Sequence, residues 1–289
     1  MKIRDILNKK SLSLSFEVFP PKNDGAFDSI KEATEEIASL CPAFMSVTYG
    51  AGGGTSRYTL DIAKNIEDKY RLPTLAHLTC VSSTKETVRE RIAELHSAGI
   101  ENIMALRGDI PADTSSMPRD YTYAYQLVRE IRASGVDFCV GGACYPEVHP
   151  ESVSKESDME HLYRKVSEGV DFLTTQMFFE NSLYYDFCDR AQAFGINIPI
   201  IPGVMPITHA TQIDRAIKLS GSYMPRRFLS LVDRFGSDPS AMKQAGIAYA
   251  TDQIIDLFAN GVTNVHVYSM NKPEVARAIM NNLSDILGK

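Results

Sequence analysis

The chain has 289 residues, a formal net charge of −6, and 44% hydrophobic and 23% charged residues, as an ordinary globular protein does. The acidic balance argues against broad binding to nucleic acid or an anionic membrane. No apolar run approaches the ~20 residues that span a bilayer, and the charge-rich start MKIRDILNKKSLS is a poor signal peptide. A cytoplasmic protein is therefore expected, as two domains or one large barrel.

The first strand-like run, LSFEVFP (14–20), places Glu17 at the apolar end of a strand that two prolines then stop. Similar short runs follow: FMSVTYG (44–50), PTLAHLTC (73–80), NIMALRGD (102–109), FCVGGACYP (138–146), FLTTQMFF (172–179), IPIIPGVMP (198–206) and NVHVYSMN (264–271). Helical periodicity fills the intervals. In 83–99, Ser83 and Glu86 have capping-box spacing, Val88, Ile92 and Leu95 form an apolar stripe, and Gly99 suits the stop. Ser157 and Glu160 repeat the box in 157–169.

Eight strand candidates alternating with helices predict a (β/α)8 TIM barrel. The rival is a doubly wound sheet with G-x-G-x-x-G after its first strand. The glycine cluster GAGGGTS (50–56) follows the second strand and has Thr55 in place of the third glycine, so the barrel is preferred. The long interval from 206 to 264 holds extra helices before the last strand. With no linker visible, residues 1–289 are expected to form a single catalytic domain.

The cysteines, Cys41, Cys80, Cys139, Cys144 and Cys188, include no C-x-x-C pair and read as reduced structural thiols. His77 and Cys80 are three apart on a strand, point to opposite faces, and make no metal pair.

Barrel active sites lie at the carboxyl ends of the strands. There the sequence places Glu17, Thr48, Tyr49, His77, Arg107, Asp109, Tyr145, Gln176 and Lys272. Each has an ordinary alternative: Glu17 paired with a buried base, His77 a satisfied core histidine, Asp109 a loop cap. An aldolase-like site would want a lysine on an inner strand, and no strand core contains one.

The motifs SFEVFPPK, SVTYGAGGGT, HLTC, ALRGD, YPEVHPES and TTQMFF, in this order, resemble the methylenetetrahydrofolate reductase family from about residue 13 to residue 285. The resemblance implies an FAD-containing barrel that reduces 5,10-methylenetetrahydrofolate to 5-methyltetrahydrofolate with NADH or NADPH in a ping-pong cycle. It makes Glu17 the general acid, its proton retained by desolvation. Asp109 becomes the charge beside flavin and pterin. FAD contacts fall on Thr48, Tyr49, Ala51, His77, Arg107, Gly108, Asp109 and Ala124. The loop after the fifth strand adds Tyr145, His149 and Ser152, and the next helix adds Asp158, His161, Arg164 and Lys165. Of these, 158, 161 and 165 share a helical face, bordered by Arg164, that can hold the ribose and diphosphate, and Arg164 and Lys165 are expected on the surface rim facing the cofactor phosphates.

Gln176, Gln212 and Lys272 match folate-binding positions. Lys272 stands where the family has arginine, keeping the charge without the planar fork. Ala216 and Ile217 occupy a region where some members carry a stacking aromatic. Two alternatives stay open: a reductase fed by a partner protein, and a non-catalytic folate-binding barrel. NADH and NADPH both stay open as the donor, as does a homo-oligomer. Regulation by a second domain beyond residue 289 is expected to be absent.

Overall fold

A computed structural model describes residues 1–9, 11–21, 24–49, 56–110, 114 and 117–288. Ala51 and the rest of the glycine cluster at 50–55 lie outside the described residues. The elements run α1 (Ile3–Leu7), β1 (Ser13–Val18), a 3-10 turn (Asp24–Ala26), α2 (Phe27–Ala38), β2 (Met45–Val47), α3 (Ser56–Tyr70), β3 (Thr74–Thr79), α4 (Lys85–Ser97), β4 (Asn102–Leu106) and α5 (Ala124–Ala133). They continue with β5 (Cys139–Cys144), α6 (Lys155–Ser167), β6 (Phe172–Thr175), α7 (Asn181–Ala193), β7 (Ile200–Ile201), β8 (Gly203–Val204), α8 (Gln212–Ser220), α9 (Arg226–Phe235), α10 (Pro239–Ala259), β9 (Asn264–Tyr268), α11 (Pro273–Asn282) and α12 (Ser284–Leu287).

All strand pairs are parallel, in the order β7-β6-β5-β4-β3-β2-β1-β9-β8. Only Pro202 separates β7 from β8, so the ends of that order are halves of one strand and the sheet closes as a (β/α)8 barrel. The sequence predicts one strand here. It breaks because proline lacks an N–H and because the Gly203 N–H goes to Thr175 Oγ1 (2.8 Å). Gly203 is obligatory: a Cβ there would lie 2.5 Å from the Thr175 carbonyl and 2.6 Å from the Tyr268 ring.

Strand alternation sorts the side chains into two layers. Phe16, Val18, Met45, Val47, Ala76, Leu78, Ile103 and Ala105 belong to the core shared with the outer helices. On the inside, α1 plugs the amino-terminal end of the barrel. Its Ile3, Ile6 and Leu7 pack with Phe44, Leu75, Met104, Cys139, Phe172 and Ile201. Asn102 fixes the plug, accepting from the Ile3 N–H (2.7 Å) and donating to the Thr74 carbonyl (3.0 Å). The sequence reading did not find α1, whose five residues are too few to show a period. The plug closes the barrel end opposite the one where the polar strand ends gather.

As expected, extra helices (α8, α9, α10) precede the last strand. They share a smaller apolar cluster that includes Met177, Phe179, Ala216, Phe228 and Met242. Two helix starts differ from expectation. Thr84, not Ser83, caps α4, and Ser154, not Ser157, caps α6; each hydroxyl accepts from the backbone N–H three residues on. Several residues near each start can cap, so composition alone does not choose between them. The stripe Val88, Ile92 and Leu95 is buried, and Gly99 stops the helix at φ +84°.

Candidate active site

Glu17 lies on β1 in register with Ser46 on one side and Tyr268 on the other. Its carboxyl oxygen stands 3.8 Å from His77 Nε2, and the two side chains retain only 22% and 8% exposure. Burial pushes the Glu17 carboxyl up to about 8, partly offset by the Ser46 hydroxyl within hydrogen-bonding reach. Burial also holds His77 down to about 3. The pair is therefore two neutral groups near neutral pH, not an ion pair. Beneath it the Ser46 hydroxyl meets His266 Nε2 (3.0 Å), whose Nδ1 meets the Ser15 hydroxyl (2.7 Å). His266 is likewise depressed to about 3, by burial and then by His77. Ser46, His266 and Ser15 were missed from sequence. They share a face only through the register Glu17↔Ser46 and Ser15↔His266.

The neighbouring strand ends continue the mouth. Thr48 receives its place from the bond of its N–H to the Val18 carbonyl (2.9 Å), and half-buried Tyr49 packs on the outer core. Arg107 is held bidentately by Glu151 (2.5 and 2.8 Å), a partner that the sequence reading did not name. Gly108 takes φ +87°, and a Cβ there would press on Thr79 at 3.0 Å, so glycine is required. Asp109 is exposed at the rim, close enough to Arg107 and Tyr145 to act on their charge. Tyr145 packs edge-on against His149 at 4.6 Å and interacts with the Gln176 side chain. The Gln176 side-chain oxygen (Oε1) itself accepts from the Met177 N–H (2.9 Å).

The edge between α5 and α6 gathers Ala124, His161 and Arg164. Tyr123 stacks on His161 (5.0 Å) and on Tyr125 (5.8 Å), and the Arg164 guanidinium sits 3.9 Å over the Tyr125 ring. His161 and Arg164 are exposed there. Asp158 turns to the preceding loop, accepting from the His149 N–H (3.3 Å) and the Ser152 hydroxyl (2.9 Å). Lys165 corrects the expectation of a surface rim residue. Its ammonium lies under the helix and donates to the Ala143 carbonyl on β5, and burial lowers its affinity for a proton. The long stem reaches inward because the space beside Gly142 is open to it; Lys165 Cε would sit 3.4 Å from a Cβ at that glycine.

Gln212 and Lys272 converge on one residue that sequence reasoning missed, the buried Thr208. The Gln212 side-chain oxygen accepts from the Thr208 N–H (2.8 Å), the Thr208 hydroxyl (3.2 Å) and the His209 N–H (3.0 Å). Lys272 Nζ donates to the same hydroxyl (2.8 Å). Ala216 is buried among the extra helices and Ile217 is exposed.

The fold and site define a (β/α)8 barrel with a half-buried carboxyl of raised proton affinity at its mouth and cationic and aromatic groups around the rim. The family model for methylenetetrahydrofolate reductase matches residues 2–284. The chain is 34% identical to 5,10-methylenetetrahydrofolate reductase of Escherichia coli K12 over 286 residues, covering 97% of this chain and 95% of that protein. The Pectobacterium carotovorum enzyme of the same name is 34% identical over 272 residues, covering 94% of this chain and 90% of the relative. An Arabidopsis thaliana relative named methylenetetrahydrofolate reductase (NADH) 1 is 31% identical, with 98% of this chain matching 50% of that protein. Among solved structures, a Clostridium thermocellum protein described as binding two copies of 5-methyl-5,6,7,8-tetrahydrofolic acid superposes with a TM-score of 0.68 at 16% identity, covering 100% of this chain and 99% of that one. That likeness concerns the fold.

This chain belongs to the methylenetetrahydrofolate reductase family.

Proposed function

We propose that the protein is an FAD-dependent reductase of 5,10-methylenetetrahydrofolate, acting as a single catalytic domain in the cytoplasm with NADH or NADPH as donor. The observation that carries the reading is the Glu17 carboxyl, raised to about 8 and still 22% open toward the mouth. A proton held there near neutral pH is what a general acid needs. No helix of the described residues is long and apolar enough to cross a membrane.

The donor set fits a flavin dinucleotide. The Tyr123–His161 and Tyr125–Arg164 stacks offer flat surfaces and positive charge at the rim. Gly108 allows close backbone approach, and Arg107 would turn its planar fork to the ligand by releasing Glu151. We assign Thr48, Tyr49, Ala51, His77, Arg107, Gly108, Asp109, Ala124, Tyr145, His149, Ser152, Asp158, His161, Arg164 and Lys165 to this ligand, with Lys165 and Asp158 acting from beneath through the β5 end and its loop. The chemistry FAD supplies when bound is two-electron hydride exchange, first with the nicotinamide and then with the folate, in a ping-pong cycle. The NADH in the name of the plant relative supports that donor.

Glu17 donates its proton to folate N10, the N10–methylene bond breaks, and an N5 iminium cation remains to accept hydride. His77 and the Ser46 hydroxyl bracket the acid, while the α1 plug closes the opposite end of the barrel. The Asp109 carboxylate at the rim stabilises the cation. Gln176 orients the pterin. Gln212 and Lys272, joined at Thr208, meet the anionic tail.

The deciding experiment is the absorbance spectrum of the purified protein under anaerobic NADH, then NADPH, followed by methylenetetrahydrofolate. Flavin that bleaches with a donor and recovers with the folate supports the reading. Flavin that bleaches with neither donor shifts the electron source to a partner protein. A colourless protein that cannot be reconstituted with FAD overturns the reading.

A further inference from the structure

The segment after β9 carries two consecutive left-handed residues, Met270 (φ 56°) and Asn271 (φ 52°). Asparagine tolerates this region, but a long side chain such as methionine rarely adopts it. Such a conformation persists where surrounding bonds over-determine it. Three bonds do so here, and all run to the strand that bears Glu17. The Ser269 hydroxyl donates to the Glu17 carbonyl (2.9 Å). The Asn271 side-chain oxygen accepts from the Phe19 N–H (2.9 Å), and its amide donates to the Phe19 carbonyl (2.8 Å).

The placement has a chemical logic. The β1–β2 ladder ends at Val18↔Val47, with the Val18 carbonyl taken by the Thr48 N–H. Beyond Phe19 stand Pro20 and Pro21, which have no N–H to donate. Asn271 is thus the final anchor before a stretch that cannot donate to a neighbour. With Ser269 it fixes the backbone on both sides of Val18, immediately beyond Glu17. The same turn ends at Lys272, whose ammonium reaches Thr208. One short segment therefore ties the strand of the acid to the cation at the adjoining β8–β9 edge of the mouth.

We propose that Asn271, with Ser269, is the positioning residue for Glu17, clamping the end of β1 so that the carboxyl stays packed against His77 and Ser46. The inference rests on the general-acid reading above for its catalytic meaning. Misplacement of a reacting group by about 1 Å costs on the order of 10²-fold in rate. Loosening the clamp also lets water reach a carboxyl that burial now keeps protonated.

The test uses Asn271→Gly, which keeps the left-handed conformation accessible and removes both bonds to Phe19. The Glu17 titration is followed by NMR of 13C-glutamate-labelled protein, with Glu17→Gln identifying the resonance. The expected result is a lower Glu17 midpoint in a protein that melts cooperatively. Alongside it, the folate half-reaction slows by roughly 10–100-fold and the nicotinamide half-reaction keeps the wild-type rate. Ser269→Ala, which removes the bond to the Glu17 carbonyl and keeps both bonds to Phe19, should fall between the two, and it supplies the midpoint if the glycine variant does not fold.

A midpoint equal to wild type in the folded variant overturns the proposal. A lowered midpoint in a protein that never reduces methylenetetrahydrofolate upholds the clamp and overturns the reaction assigned above.

Discussion

His77 Nε2 faces the Glu17 carboxyl at 3.8 Å, yet the two do not form a salt bridge. Burial drives the acid up to about 8 and the imidazole down to about 3, so both are neutral only between those two values. A carboxyl held in this way can give up a proton and recover it without leaving a permanent charge in the barrel.

Replacing Glu17 by Gln is expected to leave the nicotinamide half-reaction near wild type. Folate reduction should fall by at least the ~10²–10⁴ that accompanies loss of a general acid. Stopped-flow absorbance of the two half-reactions measures this. Equal losses in both would make Glu17 a structural residue.

The same groups set a pH dependence of stability. Glu17 has a folded midpoint of about 8 against an ordinary 4.5. The native state therefore binds the extra proton, and stability is lost as pH rises between those values. His77 and His266, held at about 3 against 6.5, have the opposite sign: their stability is full above 6.5 and lost as pH falls toward 3. Stability from this layer should peak near pH 6.5 and decline on the alkaline side by on the order of a few kcal/mol. Urea unfolding between pH 6.5 and 8 should show the decline in wild type and a flat line in Glu17→Gln. A decline that survives the substitution assigns it to other groups.

Arg164 and Lys165, neighbours in sequence, should respond differently to removal. Arg164→Ala is expected to weaken FAD retention on dilution and leave the apo-protein's urea midpoint unchanged, because the guanidinium lies exposed over Tyr125. Lys165→Met takes a donor from the Ala143 carbonyl and should destabilise the apo-protein by roughly 1–3 kcal/mol. If both variants have the wild-type midpoint, Lys165 does not anchor the helix.

Lys272→Ala should raise the folate KM by an amount equivalent to roughly 1–3 kcal/mol, with little change in the donor half-reaction. Thr208→Val removes the hydroxyl shared by Lys272 and Gln212 and should act in the same direction. The double variant should cost less than the two single costs added. Fully additive effects would mean that Lys272 and Thr208 serve the folate separately.

The barrel was legible because its evidence is local: short β-branched runs, helical stripes such as Val88, Ile92 and Leu95, and turn residues between them. Glu17 was legible for the same reason, since a carboxylate in an apolar strand stands out within a few letters. What escaped was set by register or reach. Ser46 and His266 are 220 residues apart and meet because β1 lies between their strands. Lys165 reads as a surface residue on a helical wheel, and only its long stem and the open space beside Gly142 take it under the helix. Thr208 and Asn271 carry no charge and act through hydrogen bonds to partners distant in sequence, so nothing in their neighbourhoods marks them.

The divided seventh strand makes the barrel a hoop with one weak clasp. Two residues pair with β6 and two with β9, and the intervening proline contributes only its carbonyl, which accepts from the His266 N–H (2.9 Å). Segments with so few ladder bonds open at lower free energy than the sheet around them, so amide exchange should be fastest among the barrel strands at Ile201, Gly203 and Val204. Because that N–H belongs to His266, the side door to the acid is this clasp: hydration of the layer beneath Glu17 would follow the breathing of the seam more closely than traffic through the mouth.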